Sequence, residues 1–254
     1  MAKNIDEEIA GERVMELADK IVLLTGGSAG IGREMARQLK AKGARVTLTG
    51  RNPERLAAMR DEGFDTIVAD LSNAAGVDAL LAEWGDKDID ILLNNAGQLV
   101  DHDFRAGDPD ADAADDCIYA NLNAPIRLIT GLMPHLRTRP QATIVNVTSG
   151  LAIAPAARTP IYCATKSALR FYTLGLREQL KDTKIQMIEA LPPVVDTQMN
   201  DGNPTKKMPP EECARQIVVA IERDQDEANI GMTKALRVAE AISPALARGI
   251  TLRF

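Results

Sequence analysis

Aromatic residues make up only 3% of this 254-residue chain, with one Trp, three Tyr and four Phe. That scarcity disfavours a base-stacking platform for nucleic acid. Positive charge is also short: 30 Lys and Arg face 36 Asp and Glu, a formal net charge of −6. This is the wrong sign for nonspecific binding to a phosphate backbone. Only two histidines are present, His102 and His135, so a His-rich metal site is impossible. The cysteines, Cys117, Cys163 and Cys213, are odd in number, widely spaced and without a CxxC, so neither a disulfide framework nor a zinc site is indicated. The apolar runs, such as that at 21–24, fall far short of the ~20 residues of a bilayer span. The N-terminus alternates charged with apolar residues and has no signal-peptide core. The expectation is a cytoplasmic protein with reduced thiols, no metal, and neither nucleic acid nor membrane as partner.

What is present is a normal globular balance, 45% apolar and 26% charged, which excludes disorder across the whole chain. Short β-type runs at 21–25, 45–49, 66–69, 89–93, 143–148, 185–190 and, weakly, 228–231 alternate with amphipathic stretches at 31–42, 53–62, 76–84, 112–137, 159–181 and 211–223. Several strand candidates are nearly continuous apolar runs, as strands buried on both faces of a parallel sheet should be. The repetition predicts an α/β protein: a three-layer, doubly wound Rossmann fold with a mostly parallel seven-stranded sheet. Pro125 predicts a kink or break in its helical stretch. Residues 1–18 are assigned to an N-terminal arm, helical from about residue 5, and 19–254 to a single Rossmann-type domain.

Two loops stand out. In 101–116, Asp108, Asp110 and Asp112 alternate, but Ala113 and Tyr119 stand where an EF-hand needs Gly and Glu. The expectation is a solvated loop whose carboxylates favour the next helix N-terminus. The other, 197–210, is polar and rich in Pro and Gly, a candidate lid with Gly202 as hinge.

The first strand runs into Gly26-Gly27-Ser28-Ala29-Gly30-Ile31-Gly32, and a helix follows. Strand, glycine turn and helix form the context of a dinucleotide site, where bare backbone approaches a pyrophosphate and helix N–H groups face its charge. The acidic residue that an NAD site carries about 20 residues further on is missing. Thr49-Gly50-Arg51-Asn52 stands there instead, and the Arg51 guanidinium suits a 2′-phosphate. NADP(H) is therefore favoured, with NAD(H) possible.

Tyr162 and Lys166 are four apart on a helical stretch, sharing a face ~6 Å apart along the axis. An ammonium beside a phenol favours the phenolate and is expected to lower its pKa. Ser149 follows the fifth strand, at the edge of the sheet where ligands of open α/β folds bind. Asn121 lies in a helical pattern that Asn does not favour.

These residues carry a resemblance. The chain is similar to the short-chain dehydrogenase/reductase family in its compact single-domain branch, from about Lys20 to at least Thr197. The similarity rests on Thr25-Gly26-x-x-x-Gly30-x-Gly32, Asp70-Leu71, Asn94-Asn95-Ala96-Gly97, Asn121, Ser149 and Tyr162-x-x-x-Lys166, in the family's order. It implies that 19–254 is a catalytic domain with Tyr162 as general acid/base. Lys166 would lower the Tyr162 pKa and hold the nicotinamide ribose. Ser149 would polarise the substrate oxygen, and Asn121 would support a proton relay. Gly26, Ser28, Gly30, Ile31 and Gly32 would hold the pyrophosphate, and Arg51 the 2′-phosphate. Asp70 and Leu71 would border the adenine, with Asn95, Ala96, Gly97 and Pro192 beside the cofactor and Val195 and Thr197 at the carboxamide and pyrophosphate. Two departures stand out: Ala29 replaces a basic residue found in some NADP-using members, and Pro193 replaces the usual Gly after the sixth strand.

Within the family, 144–169 and 192–199 resemble bacterial oxidoreductases named beside teichoic-acid D-alanylation genes, a context that assigns no substrate. The resemblance implies an NADP(H)-dependent oxidoreductase acting on a carbonyl or secondary alcohol, assembled as a homodimer or homotetramer through the helical stretches 112–137 and 159–181. The alternative is a cofactor-binding sensor or scaffold with little turnover. The small apolar stretch 151–160, with Gln98, Leu99, Val195 and Met199, suggests a mainly apolar substrate. Arg158 and Cys163 read as a solvated charge and a packed helix residue.

Overall fold

In a computed structural model, which describes residues 14–253, seven strands form one sheet: β1 (Ile21–Thr25), β2 (Arg45–Gly50), β3 (Asp65–Val68), β4 (Ile91–Asn94), β5 (Ala142–Val147), β6 (Ile185–Leu191) and β7 (Glu227–Asn229). Their order is β3-β2-β1-β4-β5-β6-β7, and every pairing is parallel. The helices are α1 (Gly30–Ala41), α2 (Pro53–Asp61), α3 (Ala74–Trp84), α4 (Ala111–Ile118), α5 (Ala124–Thr138), α6 (Pro160–Leu180), α7 (Pro210–Glu222), α8 (Thr233–Ile242) and α9 (Pro244–Thr251).

The period of two along each strand divides the core. Val22 and Leu24 of β1 face one cluster with Met35 and Leu39 of α1 and Ile217 and Ile221 of α7. Leu23, between them, faces the other, with Leu80 of α3, Leu128 of α5 and Leu176 of α6. This is the three-layer, doubly wound architecture, and winding reverses between β1 and β4. Ligands of such sheets bind outside the strand carboxyl ends at that reversal.

The stretch 112–137 is interrupted as expected, one turn earlier than the proline itself. A π turn (Tyr119–Asn123) separates α4 from α5, and Pro125 sits in the first turn of α5, where its missing N–H costs little. Pro125 cannot donate to the carbonyl four residues back, that of Asn121, and the wider turn falls where that bond is lost. Asp110 caps α4, accepting from the amides of Asp112 (2.9 Å) and Ala113 (3.1 Å).

Most of the arm assigned to 1–18 lies outside the described residues. Residues 14–17 have no regular secondary structure. Met15 and Leu17 are buried in the α1/α7 cluster, and the Met15 amide donates to the carbonyl of Glu222 at 2.9 Å. The two terminal helices α8 and α9 have no counterpart in the sequence reading.

Candidate active site

The turn after β1 is shaped by close approach. Gly26 has φ +66°, and a Cβ there would lie 2.9 Å from Cα of Ala96. Gly30 has φ +52°, and its Cβ would meet the Thr197 methyl at 2.9 Å. A Cβ on Gly32 would lie 2.2 Å from the carbonyl oxygen of Gly26. Thr25 and Asn95 lock this turn to the next loop. The Thr25 hydroxyl accepts from the amides of Asn95 and Ala96, each at 3.0 Å. Asn95 Nδ2 donates to the carbonyls of Thr25 (2.9 Å) and Gly26 (3.2 Å).

Helix α1 begins at Ala29 without a side-chain cap and has no acidic residue in its first turn. Its free N–H groups and positive dipole end are therefore available to an anion. A cleft of about 420 Å³ opens there, lined among others by Ser28, Arg51, Arg55, Asp70, Leu71 and Gly97. Ile31 is partly buried against the core and contributes backbone to the helix start. A Cβ at Gly50 would stand 3.0 Å from Ser28 Oγ, so the chain passes close to Ser28 just before Arg51, which also lines the cleft. Arg51 is exposed, and no hydrogen bond or ion pair engages it among the described residues. Asp70 accepts from the Ser72 amide at 3.0 Å. A glycine-lined anion cradle with a free guanidinium beside it fits a phosphorylated dinucleotide.

Ser149 ends the β5 segment in extended backbone, and its Oγ accepts from the Leu151 amide at 3.1 Å. The Tyr162 phenol is buried, and although the nearby Ser149 hydroxyl lowers its pKa, burial is the larger effect and pushes it up to about 12. Lys166, one turn along α6, is also buried. Its Nζ donates to the carbonyl of Val147 at 2.9 Å and lies 5.7 Å from the centre of the Tyr162 ring. Burial lowers the Lys166 pKa to about 8. The expected depression of the phenol pKa is thus not found here: desolvation opposes both charged forms and dominates.

Asn121, fully buried on the π turn, accepts from the Gln98 amide and donates to the Gln98 carbonyl, both at 2.8 Å. Its Nδ2 also lies 3.1 Å from Thr165 Oγ1 on α6. A Cβ on Gly97 would lie 3.0 Å from Asn121 Oδ1 and 3.4 Å from Lys166 Nζ. The bare backbone of Gly97 therefore brings the β4 loop, the π turn and α6 together.

Pro192 accepts from the Gly150 amide at 2.9 Å, so the double proline is tied to the serine turn. Val195 is buried in the core and forms a parallel bridge with Met208, pinning both ends of the 197–207 loop. Burial withdraws Val195 from the role of an exposed lining residue, while Met199 is 43% exposed. Arg158 is exposed and paired with Asp101 at 2.6 Å. Cys163 is buried, with Sγ accepting from the Ala156 amide at 3.3 Å, and burial raises its pKa.

A buried ion-pair network beneath the serine turn escaped the sequence reading. Thr148 Oγ1 donates to Glu189 at 2.7 Å. Glu189 pairs with Arg170, which reaches Glu227 at 3.2 Å. The available signal was a lone carboxylate in the otherwise apolar end of β6.

The short chain dehydrogenase family model matches residues 20–207. The uncharacterized oxidoreductase DltE of Bacillus subtilis (strain 168) is 41% identical over 198 residues, covering 76% of this chain and 78% of that one. A Burkholderia cenocepacia J2315 short chain dehydrogenase, solved in complex with NADP, superposes with a TM-score of 0.82 at 25% identity, covering 94% of this chain and 99% of that one. A Sphingobium yanoikuyae short-chain dehydrogenase in complex with NADPH gives 0.77 at 28% identity, covering 87% and 94%.

Proposed function

Because the chain belongs to the short-chain dehydrogenase family of NAD(P)-dependent oxidoreductases, we propose that it is an NADP(H)-dependent reductase or dehydrogenase acting on a carbonyl or secondary alcohol. The observation that carries this reading is the buried Tyr162 phenol, set near Ser149 and flanked by Lys166 at the carboxyl edge of β5. When bound, the nicotinamide supplies or accepts the hydride.

Tyr162 acts as the proton donor. A phenol held protonated by burial is the acid that carbonyl reduction requires. Ser149 orients and polarises the substrate oxygen. Lys166 holds the nicotinamide ribose and assists proton movement at Tyr162. Asn121 supports that relay from the π turn. The turn 26–32 takes the pyrophosphate, Arg51 the 2′-phosphate, and Asp70 and Leu71 border the adenine. Asn95, Ala96 and Gly97 lie along the cofactor. Pro192, Val195 and Thr197 form the segment behind the carboxamide, with Val195 supporting it from the core. Support for NADP(H) comes from the unengaged Arg51 and from relatives described in complex with NADP and NADPH. NAD(H) remains usable.

The substrate is a small, mainly apolar carbonyl compound. Self-association through α5 and α6 is supported by Phe171, 75% exposed on α6. A cytoplasmic location is supported by three free, buried cysteines. The test is oxidation of NADPH, and separately NADH, over a panel of aldehydes, ketones and diketones, beside Tyr162→Phe. Turnover with NADPH that collapses in the variant is expected. Tight NADPH binding without turnover across the panel would favour a sensor instead.

A further inference from the structure

The two terminal helices present their faces in reverse. A surface helix ordinarily turns its aliphatic stripe inward. In α8 the inward positions are Thr233, which is buried, and Leu236, Arg237 and Glu240, which are partly buried. Arg237 is held there by Glu227 and Glu240, each at 3.3 Å. In α9 the buried residues are Ala247 and Thr251. Met232, Val238, Ile242, Leu246, Ile250 and Leu252 point outward, each between 45% and 74% exposed. Ala235, Ala241, Ala245 and Gly249 are exposed among them, so the aliphatic surface runs over both helices, which pack against each other.

Charge on this face is of one sign. Residues 232–253 carry four basic side chains against one acid, a net +3 in a chain of net −6. The acid, Glu240, is paired with Arg237. Lys234, Arg248 and Arg253 are exposed and have no ion-pair partner among the described residues. Lys234 lies four residues before Val238 and borders the aliphatic stripe of α8; Arg248 lies two residues from both Leu246 and Ile250, on another side of α9, and Arg253 follows the end of that helix.

We propose that α8 and α9 form a docking face for an anionic lipid bilayer, lying in the plane of its surface. Aliphatic side chains bordered by cations are the composition that binds there, the stripe entering the acyl boundary and the long basic side chains reaching the headgroups. A second copy is the poorer occupant. A twofold interface sets a patch against itself, which would bring two surfaces of the same net positive charge together. The acidic remainder of the chain is repelled by the same bilayer, so charge alone orients this face toward it. Among the described residues no helix is long and apolar enough to cross a membrane, and the contact proposed is interfacial, at about 15 and 12 Å of helix length. This departs from the expectation of no membrane partner, which rests on the lack of a long apolar run. It also bears on the site: Thr233 Oγ1 lies 3.0 Å from where a Cβ on Gly150 would stand, so docking places the serine turn one helix away from the lipid.

The test is cosedimentation of the full chain with sucrose-loaded vesicles, either phosphatidylcholine alone or mixed equally with phosphatidylglycerol. The expected result is pelleting with the anionic vesicles, about tenfold weaker with the zwitterionic ones and in high salt. Ile242→Glu with Leu246→Glu should abolish it. Lys234→Ala with Arg248→Ala and Arg253→Ala should weaken it with the aliphatic face intact. All these positions are exposed, and an unchanged thermal midpoint verifies folding. The proposal is overturned if the chain stays in the supernatant with anionic vesicles, or if the variants pellet like the parent. It is equally overturned if Ile242→Glu with Leu246→Glu dissolves a homo-oligomer in sedimentation equilibrium, which would make this face an interface between copies.

Discussion

Asn121 and Gln98 are joined by a closed pair of hydrogen bonds, amide to Oδ1 and Nδ2 to carbonyl, both at 2.8 Å. Both polar atoms of the Asn121 side chain are thus committed to the backbone after β4. Its own main-chain carbonyl is the one that Pro125, lacking an N–H, cannot bond in α-helical fashion. The side chain braces the loop that carries Gly97 toward Lys166.

Asn121→Ala therefore removes the brace, leaves the Gln98 amide unpaired and leaves the Gln98 carbonyl only the weak Cys117 thiol donor at 3.3 Å. An unsatisfied buried group costs about 1–3 kcal/mol. Urea denaturation should show a loss of that order, and NADPH turnover should fall further than the lost folded fraction explains. A variant with parental stability and turnover would show that water or another group takes over both bonds.

Arg51→Asp should exchange cofactor preference. Arg51 has no internal partner to lose, so stability should be unchanged, whereas a charge-assisted bond to phosphate is worth about 1.5–3 kcal/mol. The NADPH Kd should rise about tenfold to a hundredfold, with NADH binding equal or tighter. Equal weakening for both cofactors would remove Arg51 from 2′-phosphate recognition.

Gly32→Ala places a methyl 2.2 Å from the Gly26 carbonyl and 2.6 Å from Asn95 Nδ2. The backbone must shift, at a cost of about 1–3 kcal/mol by overpacking, and the cradle shifts with it. NADPH binding by fluorescence should be lost. Gly249→Ala is the control, because nothing lies within 4 Å of its Cβ position; there the helix gains about 0.5–1 kcal/mol and binding is unchanged. Retained NADPH affinity in Gly32→Ala would show that the pyrophosphate does not use this turn.

The fold was largely legible because its signals are local. Mostly apolar runs such as that of β1, Ile21–Thr25, mark strands buried on both sides, and Gly26, Gly30 and Gly32 are required by close approach. What escaped depends on tertiary context. Glu189 reads as a polar residue in a strand until Arg170, 19 positions earlier, is seen against it. The helices α8 and α9 carry an amphipathic pattern, but only the folded chain reveals that the aliphatic side faces out. The environment of Tyr162 depends on the same context: the Lys166 spacing is visible in sequence, whereas the burial that pushes the phenol pKa up is not.

Burial of Lys166 gives stability a pH dependence with a definite sign. Its pKa is lowered to about 8 from an ordinary 10.5. Between those values the unfolded chain holds the proton that the native chain has released, so native stability rises with pH across the window. Tyr162 and Cys213, both pushed up to about 12, act oppositely: the native state keeps protons the unfolded chain loses, which lowers stability above about pH 9. The informative quantity is the difference between the parent and Lys166→Met, in which those contributions largely cancel. From pH 8 to pH 10 the parent should gain on the order of 2–3 kcal/mol relative to the variant, read from urea midpoints at half-unit intervals. Below pH 8 the difference should be flat, because both states of the parent carry the ammonium. Parallel curves across the whole range would mean that Lys166 keeps its ordinary pKa, and that its bond to the Val147 carbonyl offsets the burial.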